Sequence, residues 1–303
     1  MLAALTVLTA HPAAAASPIS LTSGFYVNPN SSPATWARNN AADSRAARIK
    51  SAIGDRPIAR WFGNESGADA IGGYVGAADS HDKLPVLVAY NIPGRDACGG
   101  HSGGGAGSVG AYRTWIATFA AAVGDKPTVV IIEPDALGDF SCMTQQAIDE
   151  RLGMLRYATE KFKEKAPNTY AYLDGGNAGW VAPATMAGRL DAAGVRNVRG
   201  YSVNVSNYYT TSASVNYANQ VNSALGYSAP FVIDTSRNGN GSNGQWCNSP
   251  GRKLGVPAQA GGGAEMLLWV KTPGNSDGEC GIAPTTPAGQ FNPTLATRLI
   301  DGT

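Results

Sequence analysis

Short apolar runs recur along the chain, and polar residues follow each of them. The clearest run is 129–132, which leads through Glu133 and Pro134 to Asp135. An uninterrupted β-branched run is typical of a strand that is buried on both faces. Pro134 ends the strand because proline has no N–H to donate to a ladder. Runs of the same kind are 24–27, 58–62, 86–90, 170–173, 201–203, 231–233 and 266–270, and the polar residues after them are Asn28, Asn64, Asn91, Asp174, Asn204, Asp234 and Lys271.

Segments with helical character lie between these runs. The pattern predicts helices over 35–53, 111–123 and 145–165. The third is the clearest, because it stops before Pro167 and has apolar residues at helical spacing, namely Ile148, Leu152, Leu155 and Phe162. About eight strands that alternate with helices predict an α/β fold, a parallel sheet closed into a distorted (β/α) barrel of seven to eight strands.

The alternative is an open doubly wound sheet, which would need a glycine-rich phosphate loop after its first strand. Residues 28–33 read NPNSSP and form no such loop. The segment 99–107 is rich in glycine but lacks the lysine of a P-loop. We interpret this segment as a mobile surface loop, and both a lid and a plain linker remain open for it.

The composition excludes some classes of partner. The net charge is +1, so the chain has no electrostatic case for binding nucleic acid or an acidic membrane. With 303 residues, 43% of them hydrophobic, it can bury a sizeable core. We find no internal repeat or interdomain linker, and we predict a single domain over 17–303.

The first sixteen residues look like the remainder of a secretory signal peptide. An apolar run over 2–10 is followed by HPAAAAS, whose small residues are typical of a cleavage site. No basic residue precedes the run, and the run is too short to span a bilayer. We predict cleavage near Ala16, a secreted protein, and no transmembrane segment.

The chain has four cysteines, Cys98, Cys142, Cys247 and Cys280. An even number in a secreted protein predicts two disulfides, with three possible connectivities. Pairing Cys98 with Cys142 and Cys247 with Cys280 would fix two loops that carry carboxylates, and this is the connectivity that we expect. No cysteine pair has zinc-ligand spacing and the three histidines are scattered, so we expect no metal.

Four aspartates lie just past predicted strand ends, namely Asp96, Asp135, Asp174 and Asp277. In a parallel barrel the C-terminal strand ends meet at one rim, where the active sites of such folds lie. A partly desolvated carboxyl has a raised pKa and can act as an acid. The alternative for Asp135 is a carboxylate that caps the following turn.

Large aromatic residues accompany the same strand ends. They are Trp61, Tyr90, Trp180, Trp246 and Trp269, and asparagines lie between them. Sugars have apolar faces and hydroxyl edges, so a rim with aromatic and amide side chains suits a carbohydrate. For any single aromatic residue, packing in the core is the alternative.

Seven ordered blocks carry a specific resemblance to a known family. They are YNIPGRDACGG (90–100), VVIIEPDAL (129–137), YLDGGNAGW (172–180), GYSVNVSNY (200–208), FVIDTSRNGNG (231–241), QWCN (245–248) and LLWVKTPGNSDGEC (267–280). On these blocks, from about Gly24 to Gly302, the chain resembles glycoside hydrolase family 6. The resemblance implies a cellulase that cleaves β-1,4-glucan with inversion of the anomeric centre.

The resemblance also implies catalytic roles. Asp135 matches the general acid, and Asp96 matches the partner whose charge keeps that acid protonated. The base has two interpretations in this family. Asp277 matches the carboxylate proposed as base, and the rival is a water relay through Asp96 and a serine, for which Ser102 is the candidate. Tyr90 matches a tyrosine that assists distortion of the sugar ring.

Further positions match sugar-binding residues of the family, namely Trp61, Asp174, Trp180, Asn204, Trp269 and Lys271. Two positions depart from its pattern. Asn177 stands where the family often has His, and Asn275 stands where it often has Glu. Both lie near substrate in the family, so they put the individual sugar contacts of this chain in question.

Taken together, the sequence predicts a secreted, monomeric endo-β-1,4-glucanase that binds cellulose and cello-oligosaccharides and uses no cofactor. The exo-acting members roof their cleft with long loop insertions, and the intervals after Cys142 and between Cys247 and Cys280 leave little length for them. The alternatives are an exo-acting cellobiohydrolase and a noncatalytic glucan-binding protein.

Overall fold

The computed structural model describes residues 18–63 and 66–303. The predicted signal-peptide remnant over 1–16 and the strand-end residue Asn64 lie outside the described residues. Within the described part, the predicted fold class is confirmed: a curled, mostly parallel sheet is surrounded by helices.

The strands form one eight-stranded sheet in the order β1-β2-β3-β4-β5-β6-β8-β7. Strands β1 to β6 and β8 are parallel, and β7 pairs antiparallel to β8. Their bounds are β1 Arg60–Phe62, β2 Val86–Ala89, β3 Thr128–Ile132, β4 Thr169–Asp174, β5 Gly200–Val203, β6 Phe231–Asp234, β7 Gln259–Ala260 and β8 Met266–Leu268.

Helices pack on the outside of this sheet. Their bounds are α1 Ser32–Asn39, α2 Ala46–Ile49, α3 Ala68–Asp79, α4 Val109–Val123, α5 Gln145–Lys165, α6 Pro183–Ala192, α7 Thr211–Leu225 and α8 Pro293–Asp301. Short 3₁₀ turns lie at Pro18–Leu21 and Val195–Asn197, and a π-helical turn over Lys50–Gly54 continues α2.

The central strands are buried on both faces, as the apolar runs predict. Along β3, Val129 and Ile131 lie in the barrel interior, and Val130 and Ile132 pack against the outer helices. All five residues of β3 are buried. This burial makes the strands a rigid base for the residues at their C-terminal ends.

The barrel does not close with a regular ladder. The three-residue strand β1 forms no ladder with β8 in the described structure. Instead, the Ala59 N–H donates to the Trp269 carbonyl at 2.9 Å, and the Trp61 indole N–H donates to the Val270 carbonyl at 2.8 Å. The seam between β1 and β8 opens into the groove described below.

Two predicted elements are wrong. The segment 24–27 forms one isolated bridge, Phe25 with Leu84, rather than a strand, and the eighth strand of the sheet is β7. The predicted helix over 35–53 is broken between α1 and α2. There, the Asp43 carboxylate accepts the backbone N–H of Arg45 at 2.9 Å, a local bond that competes with helix continuation. The helices predicted over 111–123 and 145–165 are present as α4 and α5.

Candidate active site

A groove of about 1480 Å³ runs across the C-terminal ends of the strands. Eight of the predicted catalytic and sugar-binding residues line it, namely Trp61, Tyr90, Asp96, Ser102, Asp135, Trp180, Lys271 and Asp277. They come from five widely separated parts of the sequence, and the parallel sheet brings them to one face. Three other predicted residues lie beneath the groove and are described below.

Asp135 is half-buried in the groove, and its backbone has a left-handed φ of 69°. Its N–H donates to the Asp174 carboxylate at 2.9 Å, which holds the turn after β3. Burial raises the pKa of Asp135 well above its usual range, and the charges of Asp174, Asp96 and Asp139 raise it further, while Lys271 opposes them. A carboxyl with a raised pKa keeps its proton to higher pH than an ordinary aspartate and can donate it.

Glu133 supports the same turn from below. Its buried carboxylate accepts the backbone N–H of Asn91 at 2.9 Å and that of Ile92 at 2.9 Å, and its φ is 50°. Burial raises the pKa of Glu133 to about 8, although these hydrogen bonds oppose the shift. The contact joins the end of β2, which carries Tyr90, to the end of β3, which carries Asp135.

Asp96, Ser102 and Tyr90 form a hydrogen-bonded chain on the neighbouring loop. The Ser102 hydroxyl and the Ser102 N–H both donate to the Asp96 carboxylate, the latter at 2.9 Å. The Tyr90 hydroxyl lies 3.0 Å from the Ser102 hydroxyl. Arg95 lies over the Tyr90 ring, 4.5 Å from its centroid, and donates to the Ser102 and Tyr90 carbonyls. The predicted serine therefore contacts the predicted carboxylate.

Asp277 has a different environment. Its carboxylate accepts from Arg237 at 2.8 Å, from Lys271 at 2.9 Å and from the Asn248 N–H at 2.9 Å. Burial by itself would raise the pKa of Asp277, but the charges of Arg237 and Lys271 outweigh burial and hold the pKa below its usual range. A carboxylate with so low a pKa is a weak proton acceptor.

Asp174, Asn204 and Trp269, predicted as sugar contacts, do not line the groove. Asp174 is buried and accepts from the Asp135 N–H and the Ser202 hydroxyl. The Asn204 amide donates to the Asp234 carbonyl at 2.8 Å. Trp269 is 2% exposed, packs with Ile49, Ile53 and Ile58, and donates to the Val256 carbonyl at 2.9 Å. In this arrangement all three support the rim from inside.

The groove also has an aromatic lining. Trp61 meets Tyr90 edge to face, with 5.1 Å between ring centroids. The Trp180 side chain is 44% exposed and covers Gly138, where a Cβ would lie 2.4 Å from the indole ring. Trp246 is 49% exposed and meets His101 edge to face at 5.3 Å. These exposed ring surfaces can stack on sugar faces.

Both expected disulfides are present, Cys98–Cys142 and Cys247–Cys280. In the part of the chain that the structure describes, the single cluster of three potential metal ligands is His101, Cys247 and Cys280. Both cysteine sulfurs of that cluster are joined to each other in the disulfide. No helix in the described ranges is long and apolar enough to cross a membrane.

Sequence reasoning missed several residues that the structure places around the carboxylates, namely Arg95, Glu133, Asp139, Arg151, Arg237 and Asn248. Arg95, Glu133, Arg237 and Asn248 lie within the blocks quoted above, so a signal for them was available. Arg151 lies within a helix whose apolar spacing predicted only packing. Its proximity to the loops is a tertiary contact.

Comparison with known proteins identifies the family. A sequence model described as Glycosyl hydrolases family 6 matches residues 21–303. The chain belongs to this family. It is 55% identical to Endoglucanase 1 of Streptomyces halstedii, over 98% of this chain and 95% of that protein. It is 42% identical to Endoglucanase A of Cellulomonas fimi, over 92% of this chain but 61% of that longer protein.

A solved family 6 structure superimposes closely on the chain. The endoglucanase Cel6 from Mycobacterium tuberculosis, in complex with methyl-cellobiosyl-4-deoxy-4-thio-β-D-cellobioside, has a TM-score of 0.86 and 36% identity. The match covers 95% of this chain and 99% of that chain. The predicted family is therefore confirmed by sequence and by fold.

The two departures from the family 6 pattern both lie in the groove lining. The Asn177 side chain accepts the Gly179 N–H at 3.0 Å, next to Trp180. The Asn275 side chain accepts the Ser32 hydroxyl at 2.8 Å and so joins the N-terminal segment to the loop after β8. Neither departure affects Asp96, Asp135 or Asp277, but at Asn275 the groove has an amide where the family often has a carboxylate.

Proposed function

We propose that this chain is a secreted endo-β-1,4-glucanase that hydrolyses internal glucosidic bonds of cellulose and related β-glucans with inversion. One observation carries the proposal. Asp135, a carboxyl with a raised pKa, and a hydroxyl–carboxylate pair, Ser102 with Asp96, line one groove that also exposes stacking rings. This arrangement supplies a proton donor and a route for proton removal from water, the two groups that an inverting hydrolase needs.

In the proposed reaction, Asp135 gives its proton to the glycosidic oxygen as the bond to the anomeric carbon breaks. Water attacks that carbon from the opposite face of the ring, so the product has the inverted configuration. The charge of Asp96 helps to keep Asp135 protonated before the reaction. The charge of Lys271 opposes the shift, so the acid can still ionise during turnover.

We assign removal of the water proton to the relay through Ser102 and Asp96 rather than to Asp277. The Asp96 carboxylate accepts directly from the Ser102 hydroxyl, and Ser102 faces the groove. The Asp277 carboxylate is engaged by two cations and a backbone N–H, and its lowered pKa makes it a poor base. Asp277 then acts by holding Lys271 and Arg237 in place.

The relay predicts that Ser102→Ala lowers kcat by roughly 10²-fold, at the lower end of general acid–base effects, because a water molecule can partly replace the hydroxyl. Steady-state kinetics on cellotetraose would measure the loss. Ser141→Ala is the matched control, since Ser141 also lines the groove and is exposed. Equal activity of the two variants would contradict the relay and return the role of base to Asp277.

Internal cleavage follows from the form of the groove. Helix α5 begins three residues after Cys142, at Gln145, so the first interval adds no roof. The second interval, between Cys247 and Cys280, is occupied by β7, β8 and their turns. The exposed faces of Trp180 and Trp246 suit a chain that is laid down along its length.

The viscosity of a carboxymethylcellulose solution is therefore expected to fall steeply while few reducing ends appear. Both quantities would be followed in the same reaction, and the ratio of viscosity loss to new reducing ends is the readout. A slow loss of viscosity with cellobiose as the dominant early product would favour the exo-acting alternative. Binding to cellulose without any new reducing ends would favour the noncatalytic one.

Two further parts of the proposal concern the location of the protein and its oligomeric state. Disulfides persist in oxidising compartments, and the two bonds here support an extracellular location. The groove is complete within one chain, because every proposed catalytic residue comes from that chain. A monomer is sufficient for the proposed reaction.

A further inference from the structure

The loop that carries Asp96 and the loop that carries Asp135 are tied together on two sides. On the outside, the Cys98–Cys142 disulfide joins them, and the Cys98 N–H donates to the Asp139 carboxylate at 2.8 Å. On the inside, Arg151 of α5 reaches both loops. Its guanidinium donates to the Gly94 carbonyl at 2.6 Å and to the Asp139 carbonyl at 3.5 Å.

Arg151 is an unusual residue for such a place. It is 2% exposed, and its Nε has no hydrogen-bond partner among the described residues. A buried guanidinium with an unpaired N–H costs stability, and packing alone would favour an apolar side chain of similar length. The presence of the Arg151 guanidinium beside the loops of Asp96 and Asp135 therefore needs an explanation other than stability.

The charges around Arg151 supply that reason. The acidic groups that face it are Asp139, Glu133, Asp96 and Tyr90. Burial lowers the pKa of Arg151, and these four groups oppose that shift. The groups that face Asp135 are Asp174, Asp96, Lys271 and Asp139. Arg151 thus lies beside two of the carboxylates whose negative charge keeps Asp135 protonated, and Asp135 itself faces a different cation, Lys271.

We propose that Arg151 is a positioning residue for hydrolysis, which fixes the spacing of the Asp96 and Asp135 loops and so holds the Asp96 and Asp139 side chains near the acid. This inference rests on the proposed function. Loss of the guanidinium has two expected consequences. The loops move apart, and the Asp96 side chain moves away from Asp135.

Both consequences narrow the pH–rate profile from its alkaline side. If Asp135 loses part of the negative charge near it, it ionises at lower pH and the alkaline side moves down. A residue that only stabilised the fold would change the amount of active enzyme and leave both sides of the profile where they are.

The test compares Arg151→Met, which removes the charge, with Arg151→Lys, which keeps it. The control is Arg156→Met, because Arg156 is on the same helix and also donates to a backbone carbonyl, that of Ala192 at 2.6 Å, but is exposed and away from the groove. The kcat, KM and pH profile of each would be measured on cellotetraose, with the Tm recorded alongside.

We expect Arg151→Met to lower kcat by roughly 10-fold to 10²-fold, the range for a small misplacement of catalytic groups, with a smaller change in KM and a narrower profile. Arg151→Lys should recover part of the loss, and Arg156→Met should match the wild type. If Arg151→Met does not fold, Arg151→Lys carries the test through its narrowed profile.

Two results would overturn the inference. One is a folded Arg151 variant with wild-type kcat and profile, and the other is a lower kcat with an unchanged profile. Wild-type activity on cellotetraose is measured first, because its absence would reject the proposed function and not the role of Arg151. In that case the pKa of Asp135 would be measured by NMR in the wild type and in Arg151→Lys. A difference between the two pKa values would still show that Arg151 influences the protonation of Asp135.

Discussion

Asp135→Asn is expected to lower the hydrolysis of cellotetraose by roughly 10²–10⁴-fold, the usual contribution of a general acid. Asparagine keeps the shape of the side chain but cannot supply a proton to the departing oxygen. A dinitrophenyl cellobioside has a leaving group that needs no proton, so its hydrolysis should be affected far less. Equal losses on the two substrates would show that Asp135 is not the acid.

The stability of this variant separates chemistry from misfolding. Because the folded pKa of Asp135 is raised, its proton is lost less readily in the folded than in the unfolded state. Ionisation of Asp135 therefore costs stability once the pH rises above about 3.9, which is the pKa of aspartate in the unfolded chain. Asparagine removes that cost, so the Tm at neutral pH should be equal to or above that of the wild type. Asp125→Asn, at a site 84% exposed, is the control for both measurements.

Asp277→Asn is expected to have the largest effect on stability, about 3–5 kcal/mol, the cost of leaving a buried charge without its partner. Arg237 is almost fully buried, and Lys271 is largely buried. Both would lose their carboxylate. Urea unfolding at neutral pH would measure the change. Asp55→Asn removes an exposed partner of Lys50 and should change the free energy of unfolding little.

The pH dependence of the same ion pairs follows from the lowered pKa of Asp277. The ion pairs contribute fully to the free energy of unfolding above about pH 3.9, the pKa of aspartate in the unfolded chain. This contribution is lost as the pH falls toward the lower pKa of Asp277 in the folded protein. The difference in stability between the wild type and Asp277→Asn should therefore shrink only below about pH 4. If Asp277→Asn has the wild-type free energy of unfolding at pH 7, the ion pairs with Arg237 and Lys271 do not stabilise the fold as expected. If it is folded and still hydrolyses cellotetraose, Asp277 is not the base.

The buried strands and two long helices could be predicted from the sequence, because burial on both faces leaves uninterrupted apolar runs such as 129–132, and one buried face leaves apolar residues at helical spacing, as in α5. The aspartates at strand ends were predictable for the same reason. The sequence also carries the family, through seven blocks in a fixed order. Each of these features depends on residues that are neighbours in sequence, or on motifs that follow one another along the chain.

Other features depend on neighbours that are distant in sequence. Trp269 and Trp180 are both tryptophans near strand ends, yet one packs against Ile49 and Ile53 and the other faces the groove. Asp135 and Asp277 are both aspartates at the rim, yet the burial and like charges around one raise its pKa, and two cations lower the pKa of the other. The sequence by itself determined which residues reach the rim. Only the tertiary structure decided which carboxyl keeps a proton, since the energy of a charge depends on its desolvation and on the charges brought within a few ångströms by the fold.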